Sequence, residues 1–474
     1  MLGQQLQTPA IDATSAPLSG RIAGRVLGQV LGQVLGLVPD PVRSAMVPLG
    51  RHLNPWRLST LGAPMRVPLP DSFADVTTID RHLERPARSL DVSPKAVARI
   101  WRSVEDQYRT GLHPGLSLVI RRRGELLMSR GIGMATGFAP EDEEPAVPMT
   151  ARTPLCLYSG SKAFTAMILH RLAEDGVVDL DGPVTVWIPE FGQNGKDGIS
   201  VRHLMTHRAG ISRMPMKVGD DADRLLDHDT VLARLCASPA DTRPGASQAY
   251  HAATSGYILG EVAIRAGGAS LNELLARFIA EPLRASALTY GYPSESPHVP
   301  ARSAVTGPAS VPIISPLIDN LLGMPSALVT PIMESAAGRK AVVPAGNLYA
   351  SAEDANRFFE AMRLGGSWDG GRIVGPDTVA DAIRPAGRLV IDGSIPAPIR
   401  FSSGFMLNER GVGLFGLDAP RAFGHLGFTN ILLWADPDRS MSVALCSTGK
   451  SIHPASFAGF AASIATISAT IPKG

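Results

Sequence analysis

Strand-forming segments sit at the two ends of this chain and helix-forming segments fill the middle, and that separation constrains the fold more than any other feature. Residues 116–120 and 126–132 read as two strands around the turn Arg123-Gly124. Far downstream, residues 399–407, 411–416, 421–426, 430–435 and 441–446 are strand-like. Between these sets, residues 159–175, 199–208 and 268–281 are helical, the first ending at Gly176. Strands bury their apolar faces by pairing and packing, so the two ends are expected to meet in one sheet. The helical middle, roughly 175–345, is expected to form a second lobe. The fold class is thus α/β, in the α+β sense. A further helix opens at Ser93, an N-cap followed by Pro94, and stops before Gly111, while an Ala-rich helix runs from about Pro454.

Composition removes several functions. Among 474 residues, Lys+Arg 45 against Asp+Glu 43 leaves a net charge of +2, with the basic residues scattered, so nucleic acid is not an expected partner. Cys156, Cys236 and Cys446 lie far apart without CxxC spacing, which offers neither a disulfide framework nor a zinc site and leaves the redox compartment open. Arginine outnumbers lysine 38 to 7, which draws attention to each lysine, because arginine cannot be deprotonated for chemistry. No run reaches the ~18 apolar residues of a membrane span, and residues 1–17 lack the pattern of a secretory signal, so a cytoplasmic location is expected.

Residues 1–92 read as an N-terminal extension to a domain over 93–474. Within it, residues 19–38 repeat a GQVL unit that puts the pairs Val26/Leu27, Val30/Leu31 and Val34/Leu35 on one helical face. Two readings stay open: a helix on a membrane surface with Arg21 and Arg25 at the headgroups, or a helix packed on the body or frayed. Residues 39–92 read as an extended Pro-rich arm. Residues 292–344 hold nine prolines and apolar runs at 311–314 and 317–322, and read as a long loop that covers something.

Two motifs fail on context. Gly411-Val412-Gly413-Leu414-Phe415-Gly416 has dinucleotide-fingerprint spacing but opens no helix. His203 and His207 are four apart on a helix, with no intervening Glu and no third ligand, and read as structural histidines. No GxSxG is present. Ser-x-x-Lys occurs twice. Ser159-Gly160-Ser161-Lys162 opens an amphipathic helix, so serine and lysine share one face about one turn apart, beside free N–H groups at the positive end of the helix dipole. That arrangement suits a serine nucleophile next to an unprotonated lysine. Ser447-Thr448-Gly449-Lys450 follows a strand, opens no helix at its serine, and reads as coincidence.

The stretch LYSGSKAFTAMILHRLAEDGVVDLDGPVTVWIPEF, then ISVRHLMTHRAGI, resembles the serine β-lactamase and penicillin-binding-protein superfamily, nearest its class C β-lactamases and family VIII carboxylesterases. The likeness continues through 244–263, 344–362 and 424–445, some four-fifths of the chain from about Ser93. It implies an antiparallel sheet flanked by helices beside a helical lobe. It also implies Ser159 as nucleophile, Lys162 and Tyr250 sharing the base role, and an oxyanion between the N–H groups of Ser159 and Phe428. The second motif, Tyr-x-Asn in the family, is Tyr250-His251-Ala252 here, with His251 read as structural. The third, Lys-Thr-Gly, is His425-Leu426-Gly427. Loss of the amide and of the fixed cation points from β-lactams toward neutral esters, and the apolar loop 292–344, as a lining or lid of the acyl pocket, points toward lipophilic acyl groups. The resemblance implies no metal and no cofactor. It leaves a β-lactamase or D-alanyl-peptidase, an acyltransferase and a non-catalytic lipid- or partner-binding scaffold as alternatives, and leaves oligomeric state open.

Overall fold

The computed structural model describes residues 66–474 except 139–143, 216–223, 225, 293–295, 297, 309 and 396. The 19–38 repeat lies outside the described residues. The main sheet contains β1 (Thr77–Ile79), β2 (Gly115–Arg122), β3 (Glu125–Thr136), β4 (Val390–Ile391), β5 (Pro398–Phe401), β6 (Met406–Leu407), β7 (Phe423–Gly427), β8 (Ile431–Asp436) and β9 (Met441–Ser447). All neighbours are antiparallel, in the order β1-β3-β2-β9-β8-β7-β6-β5-β4, with Val147–Pro148 added to β3. The two ends of the chain meet at β2 and β9, in register from Leu116↔Ser447 to Arg122↔Met441.

The central strands β2, β8 and β9 are buried throughout, and alternation of side chains sends their apolar residues to a core on each face. On β9, Met441, Val443 and Leu445 enter one core, while Ala444 and Cys446 enter the other. Leu432 and Trp434 of β8 follow the first set, Ile431 and Leu433 the second. Among the helices are α1 (Pro94–Tyr108), α2 (Ser161–Glu174), α3 (Val201–Met205), α4 (Thr254–Gly267), α5 (Ile314–Leu322), α6 (Ser326–Glu334), α7 (Ala352–Arg363) and α8 (Pro454–Thr470). Helices α1 and α8 cover the first face through Ile100, Val104, Phe460 and Ile467. Helix α7 covers the second through Phe358, Phe359 and Met362, and the core continues from there into α2 and α4. Ser93 caps α1 by accepting from the Ala96 N–H, as expected.

Four expectations need correction. Residues 66–92 are not an extended arm: β1 pairs with β3, and Leu90 and Val92 are buried beside α1. The strand expected over 399–407 is two strands, because Ser402 and Phe405 exchange hydrogen bonds across a tight turn. Residues 411–416 form a turn rather than a strand, organised by Asn408, which accepts from Phe415 N–H and donates to Gly416 O and Ala419 O. The Pro-rich segment 292–344 is not one loop, since it contains α5, α6 and Ala336–Lys340. Its prolines fall where helices tolerate them: Pro316 in the first turn of α5 and Pro325 at the N-cap of α6, with Pro331 alone inside α6.

Candidate active site

Ser159 lies in the 3-10 turn Tyr158–Gly160 that leads into α2. The turn is pinned to strand Leu348–Ala350: Leu157 N–H donates to Leu348 O at 2.8 Å, and Ser161 Oγ donates to Tyr158 O at 2.5 Å while accepting from Leu348 N–H at 3.0 Å. Tyr158 is held at φ 46°, a left-handed conformation that costs a side-chain-bearing residue roughly 1–2 kcal/mol. The surrounding bonds force the chain through this strained residue so that Ser159 arrives at the head of the helix.

Lys162 reaches back one turn, with Nζ 3.2 Å from Ser159 Oγ. Its other hydrogen bonds go to Ala252 O at 2.6 Å and Ala345 O at 3.0 Å. None of the three acceptors is a carboxylate, so no opposite charge offsets the cost of burial, which lowers the Lys162 pKa to about 7. The Ala345 carbonyl reaches the lysine because α4 packs flush on that segment: a Cβ on Gly256 would stand 2.4 Å from the Ala345 Cβ.

Tyr250 comes from the stretch preceding α4. Its ring centre lies 5.0 Å from Lys162 Nζ, and it packs against His207 at 4.7 Å, Phe401 at 5.9 Å and His425 at 6.4 Å. Burial raises the phenol's pKa above its usual value; a hydrogen bond with Ser159 opposes this, and the Asp392 charge adds to it. The phenol is therefore neutral at pH 7 and can donate.

His425, on β7, is buried, and its Nδ1–H donates to Leu426 O at 2.8 Å. Burial, then the Lys162 charge, pushes its pKa down to about 3, so it supplies no cation. Gly427 must be glycine: a Cβ there would meet Leu157 O at 2.3 Å. This close approach seats the third motif against the Ser159 turn and brings the Phe428 ring 5.8 Å from that of Tyr158. The structure thus brings Ser159, Lys162, Tyr250, His425, Gly427 and Phe428 together.

Two residues of the site were not expected from sequence. His203 behaves as foreseen, its Nδ1 accepting from Ser200 N–H in the α3 capping box. His207 does not merely pack. It touches Tyr250, and its Nδ1 accepts from His251 N–H at 3.2 Å, which places the proton of the neutral ring on Nε2. The signal for it was its place in the block ISVRHLMTHRAGI. The second residue, Asp392, is a buried carboxylate that accepts from Tyr250 N–H at 2.9 Å, and no local motif marked it. His251 has both ring nitrogens occupied, at Ala249 O and Ile211 N–H.

A small, partly open cavity of about 20 Å³ is lined by Lys162, Thr165, His207, Ser255, Phe401 and His425. It has room for about one water, and Ser159 is not among the residues that line it. Among the described residues, no group of three or more His, Cys, Asp or Glu is placed to hold a metal ion, and no helix is long and apolar enough to cross a membrane.

The family model described as Beta-lactamase matches residues 101–462. The chain is 30% identical over 311 residues to Esterase/beta-lactamase LipL of Mycobacterium tuberculosis, covering 63% of this chain and 70% of that protein. It is 29% identical over 326 residues to Esterase EstB of Burkholderia gladioli, covering 64% and 77% respectively. Among solved structures, it resembles a penicillin-binding protein homolog from Caulobacter crescentus with TM-score 0.66 at 26% identity, covering 80% of this chain and 98% of that one. A family VIII carboxylesterase gives TM-score 0.63 at 26% identity, covering 76% and 93%.

Proposed function

The chain belongs to the beta-lactamase family, and from that premise we propose that it is a serine hydrolase that cleaves neutral carboxylic esters through an acyl-enzyme on Ser159. The observation that carries this reading is the Lys162 Nζ, 3.2 Å from Ser159 Oγ and buried without a carboxylate. A lysine neutral near pH 7 accepts the Ser159 proton as Oγ bonds to the ester carbonyl carbon. The oxyanion is taken by the Ser159 and Phe428 N–H groups; loss of one such donor costs about 2.7–4 kcal/mol in other hydrolases. Collapse breaks the bond to the alkoxy oxygen, which leaves as the alcohol with a proton passed from Lys162 through the Tyr250 phenol. Water then attacks the acyl carbon, gives its proton to the same pair, and Ser159 regains its own as the acid departs.

Two features favour esters over β-lactams. Ala252 stands where the family has an amide, and its carbonyl is already occupied by Lys162. His425 is neutral, so no cation at that position meets a β-lactam carboxylate. Lipophilic substrates fit the half-buried apolar residues Ala252, Ile395, Ile399 and Leu426, which, with Leu321, pack against the large cluster that includes Tyr250. Leu321 belongs to α5, where Leu317 is 42% exposed. On this reading part of the Pro-rich segment lines the acyl pocket.

The test is hydrolysis of p-nitrophenyl esters of increasing chain length and of nitrocefin, with labelling of Ser159 by a fluorophosphonate. The expected result is ester turnover with nitrocefin barely cleaved, and no label on Ser159→Ala. Fast nitrocefin turnover would replace the esterase reading by a β-lactamase one; a wild-type protein that neither turns over nor labels would replace it by a binding scaffold.

A further inference from the structure

We infer that Asp392, 142 residues downstream of Tyr250, is the positioning residue that holds the Tyr250 phenol on Ser159; the inference rests on the acyl-enzyme reading above. Asp392 is 2% exposed, and the hydrogen-bond partners of its carboxylate are N–H groups rather than a cation. Oδ1 accepts from Tyr250 N–H at 2.9 Å, Ser394 N–H at 2.9 Å and Ile395 N–H at 3.0 Å, and Oδ2 accepts from Gln248 Nε2 at 3.1 Å. The backbone adds one more stitch, Gly393 N–H to Gln248 O at 2.9 Å.

A carboxylate that only shaped its own turn would need just the Ser394 and Ile395 amides. Asp392 spends the rest of its acceptor capacity on the strand of chain that carries the phenol. Tyr250 has no helix or sheet of its own, since α4 begins at Thr254. His207 holds the neighbours Ala249 and His251, and Asp392 adds the support at Tyr250 itself for a donor that must meet Ser159 Oγ, where a displacement of about 1 Å can cost on the order of 100-fold in rate. The same clamp fixes the backbone of Ile395, whose half-buried side chain packs on the cluster that includes Tyr250. The negative charge also opposes formation of the phenolate, which keeps Tyr250 a proton donor.

The experiment is a set of variants assayed by ester hydrolysis, fluorophosphonate labelling and thermal melting. Asp392→Asn keeps an oxygen for the three amides but loses the charge and the Gln248 contact. It should lower kcat about 10- to 100-fold with KM within about 3-fold, and shift the alkaline limb of the labelling rate to lower pH. Asp392→Glu keeps the charge but displaces it, and should lower kcat while leaving that limb in place. The deciding measurement is the double variant: if Asp392 acts through the phenol, Asp392→Asn costs nothing further in Tyr250→Phe. Asp436→Asn is the structural control, because Asp436 caps its own turn and pairs with Arg439 at the far end of β8; it should lower the melting temperature without moving the pH profile. Should Asp392→Asn fold poorly, Gln248→Met leaves the Oδ1 contacts in place and removes the Oδ2 contact together with the Gln248 bond to Ile399 O; it should cost a few-fold in kcat in wild type and nothing in Tyr250→Phe. Wild-type kcat and pH profile in Asp392→Asn, or an equal loss with and without the phenol, overturns the inference. Hydrolysis that survives Ser159→Ala would instead overturn the acyl-enzyme reading, whatever Asp392 does.

Discussion

Two Ser-x-x-Lys tetrads in one chain, Ser159–Lys162 and Ser447–Lys450, end in buried lysines whose pKa values burial lowers to about 7 and about 8. A depressed lysine is thus not what separates them. At the first, the lysine Nζ meets the serine Oγ, at the head of α2 and beside half-buried surface. At the second, Lys450 Nζ donates to the Ser447 carbonyl at 2.7 Å, and Ser447 Oγ is taken by His113 Nδ1 at 2.8 Å and Gly449 N–H at 3.0 Å. Ser447 ends β9, fully buried, with no helix terminus to stabilise an oxyanion. Spacing gives a helix a serine and a lysine on one face; at the end of a strand the same letters give unrelated contacts. Secondary structure, then, decides what the motif means.

The largest contrast is expected between the two serines. Ser159→Ala should abolish measurable ester turnover and fluorophosphonate labelling, a loss of about 10⁴-fold or more by the precedent of serine hydrolases. Ser447→Ala should keep both within a few-fold and lose only the order of about 1 kcal/mol of an intramolecular hydrogen bond in stability. Labelling at Ser447, read by mass spectrometry, would break the comparison.

Next in size is the first lysine. Lys162→Met should lower kcat/KM by about 10²–10⁴-fold, the usual scale for general acid–base catalysis. In wild type, kcat/KM should rise with pH through about 7 as Lys162 loses its proton. Stability carries the same signature. With its pKa lowered from 10.5 to about 7, the folded state binds fewer protons than the unfolded one between those values, so wild-type stability gains with rising pH across that window. Below pH 7 both states are protonated and the fold bears the whole cost of the buried charge. Melting temperature should therefore favour Lys162→Met over wild type more at pH 6 than at pH 10. A wild-type rate flat from pH 5 to 9 would sink the neutral-lysine mechanism.

The uneven legibility of the molecule follows from where its information lies. Ser159 and Lys162 are readable because three-residue spacing on a helix is local, and Tyr250, His425 and Gly427 because each stands inside a block whose neighbours share its pattern. Asp392 is a single acidic residue in a polar loop, and only tertiary structure shows that it faces Tyr250. His207 was seen with His203 as a spacing motif, yet the two do different work, one capping α3 and one lining the Tyr250 cluster. Helix α5 was hidden by counting prolines rather than asking where they fall: Ile314, Leu317, Ile318 and Leu321 carry helical periodicity, and Pro316 sits in its first turn. The sheet was legible because β2 and β9 are apolar on both faces, whereas β1, three half-buried residues, left no such trace.

Access is the second difference between the tetrads, and its expected effect is smaller. If α5 borders the acyl site, Leu321→Ser should weaken the preference for longer p-nitrophenyl esters. The expected change is about fourfold in relative kcat/KM for each methylene no longer buried, from about 0.8 kcal/mol apiece. Acetate turnover should barely change. An unaltered chain-length profile would place the acyl chain elsewhere.

The smallest effect belongs to the second lysine, and it tests the comparison most sharply because Lys450 lies near the nucleophile without touching it. Its Nζ sits 4.7 Å from the centre of the ring of Tyr158, the residue that precedes Ser159. If its role is structural, Lys450→Met should leave ester turnover within about 3-fold. Methionine matches the buried volume and removes a desolvated amine, which compensates for the lost bond to Ser447 O and the lost ring contact. The sign with pH follows from the lowered pKa: wild-type stability rises between about 8 and 10.5, so the variant should gain most on wild type below pH 8 and lose that advantage above 10. A 100-fold loss of turnover with an unchanged melting temperature would show that Lys450 acts on Ser159 through Tyr158, and the two tetrads would then be parts of one device.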